Sequence, residues 1–272
     1  MPLAPVRLNQ RHPDALLAKP SSPSRAAVNI QGQSRSDTME HGRNRILAAL
    51  PQDALSALAE RASIVSLARG RMLQEVGEPV REALFPHSGV IALISPMGNG
   101  RDVETAAVGS EGYLGFWAVL GGDDRALCRA VVQVPGTATR LPIDSLLAIS
   151  RVYLPFADLL LRFSKVLLKQ SIQSAACNGL HRLEARCARC LLHAHDRAGR
   201  DESVQMSQTV LAARLGVRRQ SLSAVMKSFQ ARGIVQLDPG GVRILDRAGL
   251  ETASCECYSV LSDTYRTILP VA

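Results

Sequence analysis

The chain has 272 residues, 46% hydrophobic, 4% aromatic and 21% charged, with a net charge of +8. That length supports two domains with real cores, and the basic balance calls for a polyanionic partner. No apolar run approaches the ~18–20 residues needed to span a bilayer, and the start lacks the compact apolar stretch of a secretory signal. A cytoplasmic protein with no membrane partner is expected, and its six cysteines are read as reduced thiols rather than a disulfide framework.

Residues 1–40, rich in Pro, Ser, Arg and Gln, have no sustained periodicity and are expected to be disordered. Met39, just ahead of the first patterned segment, is a candidate translation start. Over residues 43–61, Ile46, Leu47, Leu50, Leu55 and Leu58 take helical spacing, and Pro51 splits the run into two short helices. From Ser63 to Leu141 the pattern changes to short apolar runs separated by Gly, Pro, Asn and Asp, including 83–85, 90–94, 105–108 and 130–134. That spacing is the mark of an antiparallel barrel or sandwich, and Gly98-Asn99-Gly100 reads as a hairpin turn.

A short helix is expected over 143–149 and a long one from about Leu154 to Cys177. In the long helix Phe156, Leu159, Leu160, Phe163, Val166 and Leu167 recur at three and four residues, and Gln170 and Ser174 prolong the row. This face is expected to pair two subunits into a homodimer. The alternative is a helix packed on its own barrel. Residues 181–200 read as a further helix.

The stretch Gln208–Val225 has the spacing of a DNA-reading helix-turn-helix. Ser207 is an N-cap candidate; Leu211, Ala212 and Leu215 share one face of a first helix. Gly216 stands where the chain turns sharply, and only glycine takes positive φ there without steric cost. Leu222, Val225, Met226 and Phe229 form the apolar face of a second helix. Its other face carries Arg219, Gln220, Ser223 and Lys227, with Arg218 and Ser221 at its start; such side chains bond base edges or phosphates. Two short strands, 234–237 and 242–245, flank the turn Asp238–Gly241 and read as a wing, with Arg243 beside it. Residues 181–250 carry twelve Lys/Arg against six Asp/Glu, whereas 41–180 carry fourteen against twelve. The positive excess thus falls on the DNA-reading segment. A purely structural helical hairpin is the plainer alternative.

No nucleophile elbow, phosphate loop or paired-carboxylate motif is visible, so no catalytic residue is assigned and the chain is not expected to be an enzyme. Cys187-x-x-Cys190 and Cys255-Glu256-Cys257 invite a metal or redox reading, but a CxxC on a helix puts the sulfurs one turn apart without the chain reversal of a zinc knuckle, and small apolar cysteines in helices are expected instead. His181, His193 and His195 flank this helix, and the i, i+2 spacing of the last pair points their side chains to different faces, so a shared metal is not expected. No metal and no cofactor are therefore assigned, and Asp196 is read as a local partner of His195.

Short helices, a β-roll, a long helix and a winged helix-turn-helix, in that order, resemble the Crp/Fnr superfamily of bacterial transcription regulators over about residues 43–258. Three patches carry the resemblance: 69–78, the segment Val108–Trp117 followed by Arg125 and Arg129, and the helix-turn-helix with Arg219, Gln220 and Ser221. The second patch is similar to the family's phosphate-binding cassette, so the resemblance makes Gly115, Phe116, Trp117, Arg125 and Arg129 effector-pocket candidates. Nucleotide-binding members follow the cassette glycine with a Glu that holds the ribose; here Phe116 and Trp117 follow it. An unsatisfied ribose hydroxyl is costly, so cyclic nucleotide binding is not expected, and both rings are read as core packing. In the reading helix the resemblance puts Arg219 on guanine, Gln220 where such members often have Glu, and Ala224 where the best-known member has a second base-reading Arg. Arg218 replaces the usual Ser or Thr cap and is placed to bind phosphate. Cys255-Glu256-Cys257-Tyr258 is similar to a subgroup with no known small-molecule ligand.

The expected class is α+β: a disordered extension (1–40), a jelly-roll-like β-roll effector domain (41–150), a dimerisation helix (151–180), a winged helix-turn-helix (181–250) and a C-terminal tail (251–272). The expected DNA contacts are Ser207, Arg218, Arg219, Gln220, Ser221, Ser223, Lys227 and Arg243. The expected function is sequence-specific transcription regulation by a homodimer on a palindromic double-stranded promoter site, with RNA polymerase as a further partner and an unknown small-molecule effector. Two alternatives stand: a dimeric effector scaffold, and a redox-responsive regulator using its cysteines.

Overall fold

The computed structural model describes residues 43–98, 102–197 and 203–269. The expectations for residues 1–40, for Met39 and for the Asn99-Gly100 part of the hairpin turn lie outside them. Asn44 starts the described fold. Its side-chain oxygen accepts from the backbone of Ile46 and Leu47, capping α1 (Arg45–Ala48). Its Nδ2 donates to Pro86 O at 2.9 Å and Gly112 O at 2.8 Å. α2 (Gln52–Ala59) follows Pro51 as the periodicity predicts.

Seven strands build the roll: β1 (Ser63–Leu67), β2 (Met72–Gln74), β3 (Glu82–Pro86), β4 (Val90–Pro96), β5 (Asp102–Val108), β6 (Arg129–Val134) and β7 (Gly136–Pro142). They form two antiparallel sheets, ordered β1-β7-β3 and β2-β6-β4-β5. Between β5 and β6 lies a five-residue helix, α3 (Phe116–Leu120), which starts from Gly115 at φ 109°. A Cβ on Gly112 would lie 1.9 Å from the Phe163 ring. Only glycine lets this loop and the long helix approach so closely.

After α4 (Ile143–Val152) comes α5 (Leu154–Leu180), 27 residues, about 40 Å long at 1.5 Å per residue. Here the structure corrects the expected subunit seam. Phe156, Leu160, Phe163, Val166 and Leu167 are buried within a single chain, in the core of the roll, and Leu159 packs half-buried against them. The Phe163 ring packs tilted against Tyr113 at 5.5 Å and the Phe156 ring against Phe85 at 6.4 Å. Burying each such side chain yields roughly 1.5–3 kcal/mol, so this face is committed to its own barrel. Gln170 is buried too, accepting from the Tyr265 hydroxyl at 3.1 Å, and Ser174 is half-buried. The exposed apolar row is a different one: Leu154, Leu161, Leu168 and Ile172, with Leu180 at the end.

The second core gathers α6 (Leu183–Arg197), α7 (Gln208–Leu215), α8 (Arg219–Ala231), β8 (Val235–Asp238), β9 (Gly241–Ile244) and α9 (Arg247–Ala253). Residues 251–272, expected only as a tail, supply the end of α9 and then α10 (Cys257–Ile268), which packs back on α5 and buries Leu269 in the first core.

Candidate nucleic-acid interface

The helix-turn-helix is built as its residues dictate. The Ser207 hydroxyl accepts from Val210 N at 3.3 Å and caps α7. Gly216 ends α7 at φ 65°, ψ 31°, and its backbone N–H bonds back into the last turn. Leu211, Ala212 and Leu215 meet Leu222, Met226 and Phe229 in the second core. The remaining face of α8 leaves Arg218, Arg219, Gln220, Ser221, Ala224 and Lys227 exposed.

Arg218 occupies the cap position of α8 and makes no side-chain cap bond. The first turn of α8 contains no acidic residue. Its free backbone N–H groups and partial positive charge are therefore uncompensated, a favourable seat for a phosphate. Three candidates are less free than the sequence implies. Ser223 is half-buried and donates to Gln208 Oε1 at 2.8 Å, which locks the start of α7 to the middle of α8. Arg243 pairs with Asp238 at 3.3 Å, which offsets the one positive charge of the wing. Ser207 is occupied by its cap bond.

Each wing strand lies one residue nearer the turn than predicted, the first over 235–238 and the second over 241–244. Its register joins Asp238 to Gly241, leaving Pro239-Gly240 as a two-residue turn with Gly240 at φ 82°. Pro then Gly at positive φ is the chemistry of a type II turn. Val204 adds a bridge to Val242 on the other side of β9.

The reading head is docked on the roll by buried ion pairs that the sequence did not announce. Arg214 on α7 lies 3.0 Å from Glu104 on β5, with both side chains under a tenth exposed. Arg197 at the end of α6 lies 2.9 Å from Glu111 and also donates to the Tyr265 hydroxyl at 3.2 Å. Burial works against the Arg197 charge, and Glu111 more than offsets it, so its basicity is raised. Beside it His193 is buried among Arg197, Arg189 and Arg214; burial first and these cations next hold its imidazole well below the ordinary value. His195 and Asp196 do not form an isolated pair. Arg247 donates to both, at 3.0 and 2.8 Å, and the Tyr258 hydroxyl donates to Asp196 at 2.8 Å.

The effector-pocket candidates divide. The Phe116 and Trp117 rings lie 4.2 Å apart, tilted to one another, and both line a cavity of about 530 Å³ between α3, the β4-β5 sheet and α5. Leu93, Thr105, Leu127, Leu161 and Leu168 complete its walls, which are largely apolar. Gly115 supplies the turn into α3. Arg125 and Arg129 do not line the cavity, a correction with a plain cause. Arg125 donates to Gly77 O at 2.7 Å, and Arg129 pairs with Glu75 at 3.0 Å and Asp102 at 3.2 Å. Glu75 is held below the usual carboxylate range by the Val76 N–H first and by Arg129 next. The CxxC thiols are core groups: Cys187 and Cys190 are buried in the second core, with Cys187 against the Met226 sulfur at 3.6 Å. Burial pushes the Cys187 thiol up strongly and that of Cys128 to about 11, so both stay protonated.

Residues 185–253 match the family described as the Crp-like helix-turn-helix domain. No curated protein matches the chain by sequence. Among solved structures, FixK2 from Bradyrhizobium japonicum is similar at TM-score 0.62 and 16% identity, over 71% of this chain and 98% of its own. A Crp/Fnr-family transcriptional regulator from Eubacterium rectale is similar at 0.62 and 15%, over 78% and 98%. The c-di-GMP-responsive global regulator CLP of Xanthomonas campestris is similar at 0.58 and 15%, over 71% and 99%. The chain therefore carries a Crp-like helix-turn-helix domain at residues 185–253, set within the fold of the Crp/Fnr transcription regulators.

Proposed function

We propose that this protein is a homodimeric, sequence-specific transcription regulator that binds an inverted-repeat promoter site. The observation that carries the reading is the exposed face of α8, where Arg218, Arg219, Gln220, Ser221 and Lys227 stand free of carboxylate partners among the described residues. Arg219 reads a guanine through its O6 and N7, Gln220 prefers an adenine, and Arg218 and Lys227 hold phosphates.

Two such helices need a two-fold axis to enter successive major grooves. The row Leu154, Leu161, Leu168 supplies it, because its seven-residue spacing is that of a paired helix seam and its side chains are left in water in a single chain. The apolar cavity opens beside Leu161 and Leu168. An effector seated there touches the seam directly and shifts the balance between DNA-competent and incompetent dimers. With Phe116 where a ribose-binding carboxylate would stand, that effector is an apolar molecule rather than a cyclic nucleotide. No helix among the described residues is long and apolar enough to cross a membrane. The dimer works in the cytoplasm, with RNA polymerase as its downstream partner.

Selection of binding sites from random duplex DNA by the purified dimer is the test. Enrichment of a palindrome with half-sites one helical turn apart is the expected result. Recovery of unpatterned sequences would refute the reading.

A further inference from the structure

The end of the long helix and the start of the last one bring together four side chains that no reading of spacing connects. Cys177 and His181 are one turn apart at the C-terminus of α5, and Cys255 and Cys257 straddle the entry to α10. Their Sγ and ring nitrogen atoms all lie within 4.8 Å of one another. The Cys177 and Cys255 sulfurs are 3.6 Å apart, and Cys257 Sγ lies 3.5 Å from His181 Nδ1. Zinc–sulfur bonds of about 2.3 Å and zinc–nitrogen bonds of about 2.0–2.1 Å put tetrahedral ligand atoms roughly 3.5–3.8 Å apart. The Cys177–Cys255 and Cys257–His181 spacings fall in that range. We propose that Cys177, His181, Cys255 and Cys257 form a structural zinc site of the three-thiolate, one-imidazole type, clamping α10 to the end of α5.

Three further observations point to a cation held by thiolates. His181 presents Nδ1 to the sulfurs while its Nε2 lies 3.2 Å from Glu256 Oε1. That is how a metal-bound imidazole is oriented, its outer N–H held by a carboxylate. Gln173 Nε2 donates to Cys257 Sγ at 3.0 Å, the usual support of a ligating thiolate. Arg189 is 6% exposed, its Nε has no partner, and no carboxylate pairs with it among the described residues. Its electrostatic surroundings are Cys190, Cys177, Cys255 and Cys257. Three neutral thiols leave this buried guanidinium uncompensated, which is costly. Zinc binding displaces three protons: Zn²⁺ with three thiols and a neutral imidazole gives a complex of charge −1 and three H⁺. That single negative charge matches the single positive charge of Arg189.

The arrangement supplies what the Cys187-x-x-Cys190 helix lacks. One pair of ligands sits at the end of α5 and the other spans the start of α10, so two separate parts of the chain meet around the metal. Partial exposure of Cys255 and His181 leaves an entry path.

The test uses the full chain, purified under reducing conditions. The expected metal content is about one zinc per chain. Replacement by Co²⁺ should give the intense visible bands of a tetrahedral thiolate site, absent from Cys257→Ser and retained by Cys190→Ala. His181→Cys keeps the site and adds a fourth thiolate, so the sulfur-to-cobalt band should gain about a third in intensity; this variant reads the geometry even if the serine variant folds poorly. A weak octahedral Co²⁺ spectrum in the wild-type protein overturns the proposal. So does a Cys177–Cys255 disulfide as the main form in acid-quenched cells, because the two sulfurs then no longer bind metal.

Discussion

Glu104, in the middle of an effector-domain strand, lies 3.0 Å from Arg214 on the first helix of the DNA-binding motif, with both side chains almost wholly enclosed. Together with Arg197–Glu111, this pair ties the roll to the helix-turn-helix domain through buried charge. Removing one partner strands the other charge in a low-dielectric contact. Glu104→Gln and Arg214→Gln should each speed amide hydrogen exchange in α7 and β5. Their double-mutant cycle in chemical denaturation should show a coupling of about 0.5–3 kcal/mol. Strict additivity would mean that the two halves do not meet in solution as they do here.

Arg219 and Lys227 share one exposed helix face but have different tasks. Arg219→Ala should cost ~1–3 kcal/mol on the selected site and flatten preference at a single base pair. Lys227→Ala should weaken specific and random DNA alike and lower the salt slope of binding by about one. Titrations across salt concentrations measure both. Equal losses from Arg219→Ala on cognate and scrambled duplexes would remove it from the reading set.

The two faces of α5 make opposite predictions. Leu168→Glu on the exposed row should yield a folded monomer by light scattering that no longer prefers palindromes. Phe163→Ala on the inner row should instead lower stability by about 3–5 kcal/mol through the cavity it opens, with the dimer intact wherever the chain is folded. A dimer surviving Leu168→Glu would move the two-fold axis elsewhere.

His193 gives the stability of the reading head a pH dependence. Its folded-state value lies well below the ordinary 6.5, so the unfolded chain binds more protons between that depressed value and 6.5. Stability should therefore be level above about pH 6.5 and fall as the pH drops, by at most ~1.4 kcal/mol per pH unit from this residue. Denaturant midpoints measured from pH 7.5 to pH 5 should show the fall in wild type and a shallower one in His193→Gln. Parallel curves would assign the pH response to other groups.

The helix-turn-helix was readable because its key positions are local. Ser207, Gly216 and the apolar spacing of Leu211 to Phe229 each act within one or two turns of chain, and each has a single sterically sensible role. The long helix was readable as a helix but not in its orientation. It carries two apolar rows, and periodicity cannot say which one the barrel takes; the larger rings of Phe156 and Phe163 fill the roll, and the smaller leucines stay outside. Arg125 and Arg129 fell to partners far along the chain, Gly77, Glu75 and Asp102, which spacing does not reveal. The thiol cluster was hidden for the same reason, since Cys177 and Cys255 meet only because α10 folds back.

That returning helix changes the mechanics of the whole chain. With α10 absent, the helix-turn-helix domain would be held to the roll by the short link between α5 and α6 and by the Arg214–Glu104 and Arg197–Glu111 pairs. With it present, Tyr265 and Leu269 add a further tie from α10 to α5 and the roll, and the path of the chain becomes a closed frame. A closed frame resists free rotation and shifts only by sliding one strut along another. Cutting the chain after Ser254 should release that constraint, leaving a head that still grips DNA but no longer feels what happens in the roll.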